Sequence, residues 1–105
     1  MSRKPVPAPA AALPIAEVMR SSQALSRLVE RLRESNAMFA TILPLLPAAL
    51  AASVRPGPLD ETGWSLLGAN AAVAAKLRQL APRFEDRLRE RGHVVAEVRI
   101  KVQPP

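Results

Sequence analysis

The sequence predicts an α+β fold of order α-β-β-α-α-β, a three-stranded sheet with helices packed on one face. Three observations carry this. Apolar residues recur at helical spacing through the first third of the chain and again from Asn70 to Gly92. Between them, two short apolar runs are parted by the polar cluster "DETG", the pattern of a hairpin. The closing segment "HVVAEVRIKVQ" alternates with period two, as a strand with one dry face does. A sheet of that kind must bury its dry face, and the helices are what the chain offers it.

The first helix is expected from about Pro14 to Leu43. Val18, Leu25, Leu28, Val29, Leu32, Phe39, Ile42 and Leu43 lie three, four and seven residues apart, which reads as one buried stripe. Ser21 or Ser22 offers a cap for a helix starting afresh after a short turn from Ile15 to Met19. Pro44 and Pro47 then stop the helix, and Pro47 can open one further turn over Ala48 to Ala51.

In "SVRPGPLDETGWSLLGAN", Pro56 and Pro58 cannot donate to a ladder, so the first strand should be an edge strand or very short. The second runs from Trp64 to Ala69, with Trp64 a half-buried packing residue rather than a stacking platform. Asn70 is a good N-cap for the next helix, and Gly92 is well placed to end it in the left-handed conformation. Val73, Leu77, Leu80, Phe84 and Leu88 form its buried stripe. Pro82 removes the hydrogen bond to the Arg78 carbonyl, so the spacing favours a second helix that starts there. In the last strand Ala96, Val98, Ile100 and Val102 should face the core.

A chain of 105 residues is one domain's worth. Residues 1–13 read as a disordered, Pro/Ala-rich tail broken by Pro5, Pro7 and Pro9, and residues 14–105 as a single domain. The start is not a signal peptide, since it lacks a continuous apolar region, and no run is long enough to span a membrane. There is no cysteine, which fits a reducing cytoplasm and excludes thiol chemistry.

The net charge of +6 is unevenly spread. Residues 22–69 hold four basic and four acidic side chains, whereas residues 70–105 hold eight basic against four acidic, a net +4. That is the distribution of a surface meeting a polyanion. With the register kept through the proline, Lys76, Arg83 and Arg87 fall along one flank of the apolar stripe, with Arg78 and Arg89 further round. Arg83, Arg87 and Arg91 repel at i, i+4, a cost of roughly 0.2–0.5 kcal/mol per pair, which phosphate binding would justify. The bland reading is that the arginine stems cover the core edge.

Catalytic constellations are missing. His93 is the only histidine, "GWSLLG" lacks the G-x-S-x-G spacing, and Asp60 and Glu61 sit in a turn. The expectation is a non-enzyme with no cofactor, no metal and no small-molecule substrate. For a protein-interaction module, an exposed apolar surface around Phe39, Leu45 and Leu46 would dock a partner or a second copy.

Taken together, "LLPAALAASVRPGPL", "NAAVAAKLRQLAPRFEDRLRERG" and "VVAEVRIKV" resemble the DciA-type family of bacterial proteins, over about residues 22 to 103. "NAAVAAKLRQLAP" is the most specific part. The resemblance implies a KH-like fold and a DNA-binding accessory of the replicative helicase DnaB that assists its loading in DNA replication. It puts Lys76, Arg78, Arg83 and Arg87 at the basic positions of the matching helix. With Arg91 and Lys101 from the charge distribution, these are the candidate residues for single-stranded or duplex DNA. Two departures are visible: the junction where KH domains carry GXXG reads "QLAP", and the flexible basic tail of longer members, linked to helicase engagement, does not follow Pro105. A helicase-independent nucleic-acid module and a protein-interaction module are the alternatives.

Overall fold

The computed structural model describes residues 14–104, so the tail expected over residues 1–13 lies outside the described residues. In order, α1 spans Ile15–Ile42, a 3-10 turn Leu43–Leu45, α2 Ala48–Ala51, β1 Val54–Asp60, β2 Gly63–Gly68, α3 Ala71–Glu90 and β3 Val98–Val102. The described residues divide into two units, one ending at Glu30 and one beginning at Arg31.

The second unit holds an α+β arrangement around a three-stranded mixed sheet of order β1-β2-β3. β1 and β2 are antiparallel, joined at Asp60 and Gly63 by the expected tight turn. β2 and β3 are parallel, which requires a crossover, and α3 supplies it. β1 is the edge strand that its prolines predict. Between Pro56 and Leu59 the register shifts, so Gly57 and Pro58 together oppose Ser65 in a β-bulge.

The core lies between the sheet and the helices. Trp64, Leu66 and Val98 meet Leu77, Phe84 and Leu88 of α3 and Met38 and Ile42 of α1, with Leu46, Val54 and Val95 closing the rim. Trp64 is more deeply placed than expected, fully buried rather than half-buried. Both helices therefore pack on one face of the sheet, as predicted.

Five further expectations are corrected. α1 does not restart at Ser21 or Ser22 but runs unbroken for 28 residues. Its apolar stripe is not one buried face: Val18, Leu25, Leu28, Val29 and Leu32 are exposed, as is Leu43 just beyond it, and burial begins only at Ser35. A helical wheel shows where apolar residues fall; it does not show whether another element reaches them.

Pro82 does not begin a new helix. α3 continues through it, so the order is α-β-β-α-β with two short turns, not α-β-β-α-α-β. Pro82 faces solvent, where the freed Arg78 carbonyl can take water, while Leu77, Phe84 and Leu88 are fully buried on either side. Their burial offsets a proline cost of about 3 kcal/mol. In β3 only Val98 and Ile100 keep the expected face; Ala96 precedes the strand, Val102 is exposed and Val95 is buried instead. The expected apolar partner surface is also absent, because Leu46 is buried and Phe39 and Leu45 pack against the core.

Candidate nucleic-acid interface

α3 positions most of the candidate residues. Asn70 caps it, its Oδ1 accepting from the Val73 amide at 2.9 Å. At the other end Gly92, at φ 85°, closes a Schellman arrangement: the His93 amide donates to the Leu88 carbonyl at 2.9 Å and the Gly92 amide to Arg89 at 3.0 Å. Between these caps the buried Ala74, Leu77, Phe84 and Leu88 fix which side meets the sheet. Every charge on the helix takes its place from that stripe.

Because the helix is continuous, Lys76, Arg83 and Arg87 do share one flank, spaced seven and four residues apart. Arg91, at the C-cap, continues that row by one more turn. Lys76, Arg83 and Arg91 are exposed, and none has a carboxylate within 4 Å among the described residues. Arg87 is 32 % exposed and reaches Glu90 at only 3.9 Å. Its Nε is buried with no hydrogen-bond partner, so the stem lies over the core edge while the tip stays outside. For Arg87 the reading in which the stem covers the core edge is the one seen, with the tip left accessible. Leu45, Arg83, Asp86, Arg87 and Glu90 line a shallow depression of about 200 Å³ there.

Two candidates are not part of this row. Arg78 lies on the opposite flank of α3, about 160° round from Lys76 at 100° per residue. Lys101 alternates with the core-facing Ile100 and so occupies the sheet face turned away from α3. There it has a neighbour that the sequence did not single out. Leu67 is the register partner of both Arg55 on β1 and Lys101 on β3, which puts two exposed cations astride one half-buried leucine. Arg55 was hidden by the bulge, since the prolines around it left the strand register unreadable.

Arg99 shares that outer face but is occupied. Its guanidinium donates to the Thr62 hydroxyl at 2.7 Å and approaches Asp60 at 3.3 Å and Glu97 at 3.7 Å. Asp60 is held well below the usual carboxylate range, at about 2, chiefly by the Thr62 hydroxyl and amide, with Arg99 adding its charge. This cluster pins the hairpin to β3.

His93 also has partners that spacing could not reveal. Its Nδ1 lies 2.7 Å from Glu34 Oε2, and its Nε2 lies 3.2 Å from the Thr41 hydroxyl, which itself donates to the Ala37 carbonyl at 3.0 Å. The order resembles a nucleophile–base–acid relay, but the Thr41 proton is committed to a helix carbonyl. The arrangement clamps the α3–β3 connection to α1. No group of three metal-ligating side chains occurs among the described residues.

No family model matches the chain, and no curated protein matches it.

Proposed function

We propose that the protein is a DNA-binding accessory of the bacterial replicative helicase, DciA-like in sequence and KH-like in fold, that grips phosphates through one flank of α3. The row Lys76, Arg83, Arg87 and Arg91 carries the reading: four cations on one side of a continuous helix, three with no acidic partner among the described residues. A duplex presents a regular array of phosphates to such a row, and each contact releases counterions. The +4 balance of residues 70–105 adds long-range attraction.

Recognition would rest on side-chain charge. A KH backbone clamp needs a loop between paired helices, and here Gln79–Pro82 lies inside α3. Binding of this kind is largely blind to sequence, which suits an accessory that meets whatever DNA the helicase meets. A non-enzymatic role fits the committed hydroxyl of Thr41 and the solvated turn at Asp60.

The test is equilibrium binding of a labelled single strand and its duplex across stepped salt, followed by a pull-down with DnaB. The expected result is affinity falling steeply with salt, by about 0.9 log units per contacted phosphate for each tenfold rise on duplex and about 0.7 on single strand. Absence of binding to either at low salt would refute the nucleic-acid part, and absence of a helicase complex would refute the accessory part.

A further inference from the structure

Every described residue from Pro14 to Glu30 is exposed. Within this stretch Ile15, Val18, Met19, Leu25, Leu28 and Val29 are between 38 and 76 % exposed and fall on one side of α1. We infer that this face is a self-association surface, covered in solution by the same face of a second copy of the chain.

Stability argues first. Most helical stability comes from packing an apolar face, and the first half of this 28-residue helix makes no buried contact of its own to hold it. Extent argues next. Six half-exposed aliphatic side chains present roughly 600 Å² of apolar surface per copy, at the top of what a monomer leaves bare. Two copies meeting through it bury roughly 1,200 Å², the threshold for a stable specific interface. A two-fold axis lets the same patch serve both partners.

Charge narrows the occupant. The charged residues of the segment are Glu17, Arg20, Arg27 and Glu30, two of each sign, so their sum is zero. At 100° per residue all four fall well away from the centre of the apolar stripe. Two copies therefore meet without repulsion. A membrane surface is a poorer fit, since interfacial helices carry an excess of Lys and Arg on the polar side. Residues 1–13 are poor cover as well: apart from Met1, their only apolar side chains larger than alanine and proline are Val6 and Leu13.

The experiment is sedimentation equilibrium of the full chain at roughly 100 µM, well above the micromolar weak end of affinities found for interfaces near this size. The expected mass is twice the 11.3 kDa of one chain. Val18→Glu with Leu25→Glu should halve it and lower helix content, while Trp64 fluorescence stays native because the indole lies in the second unit. A milder Leu25→Ala should weaken the dimer with the core untouched. A single-chain mass for the wild type overturns the inference, as does a doubled mass that survives both glutamates. A wild-type monomer that dimerises only once residues 1–13 are deleted also overturns it, by showing that the chain covers its own face.

Discussion

The indole Nε1 of Trp64 donates to the Ser35 hydroxyl across 2.8 Å, and that hydroxyl in turn donates to the Gly57 carbonyl at 2.7 Å. Three elements are joined by this short chain: β2, α1 and the bulge of β1. It satisfies the one polar atom of a fully buried tryptophan and holds the bulge in place. Ser35→Ala leaves the indole N–H buried and unpaired, a loss of about 2 kcal/mol and roughly 8–16 °C in Tm. Thermal unfolding followed by tryptophan fluorescence measures this. A shift below about 2 °C would mean that water replaces the hydroxyl.

Pro82 sits in mid-helix at a cost that burial offsets. Pro82→Ala restores an amide for the Arg78 carbonyl and should stabilise the protein by about 1–2 kcal/mol, after allowing for the greater freedom of the unfolded chain. Urea denaturation decides it. A neutral or destabilising result would indicate that a helix starts at Pro82 after all, where proline costs little.

How much was legible beforehand depends on how local the cause is. Asn70, Gly92, the hairpin turn and the edge position of β1 were all readable, because capping and turn chemistry need only a few neighbouring residues. Pro82 was misread because its local penalty competes with Leu77, Phe84 and Leu88, whose burial no local pattern reports. The first half of α1 was misread for the complementary reason: its stripe is real, but nothing described covers it. At the candidate interface, the flank of α3 followed from helical spacing. Lys101 and Arg55 depended on sheet register, which a bulge resets.

Gly63 occupies φ 152°, a region that side chains avoid, and a Cβ there would stand 2.6 Å from the Glu97 carbonyl oxygen. Gly63→Ala should therefore destabilise by about 2 kcal/mol or more. Gly92, at φ 85° with open space around it, should lose only about 1 kcal/mol as alanine. Comparing the two by denaturant midpoint separates steric collision from backbone strain. Equal losses would contradict the assigned contact with Glu97.

Asp60 gives the hairpin a pH dependence. Its carboxyl is held at about 2, below the ordinary 3.8, by Thr62 first and Arg99 after it. A depressed carboxylate stabilises the fold above its unfolded pKa and loses that contribution as pH falls through the folded value. Wild-type stability should thus decline between about pH 4 and pH 2 through this group, less so in high salt because Asp60 is half exposed. Asp60→Ala should flatten the decline in that window. An unchanged profile would remove Asp60 from the hairpin's support.

The most direct test of phosphate binding by one flank of α3 is a comparison of two double variants in the salt dependence of duplex binding. Arg83→Ala with Arg87→Ala removes charge from the row, while Arg78→Ala with Arg89→Ala removes as much from the other side. The expected result is a log–log slope shallower by about one to two units for the first pair and close to wild type for the second. Equal slopes for the two pairs would mean that the protein attracts DNA by net charge alone, with no interface on α3.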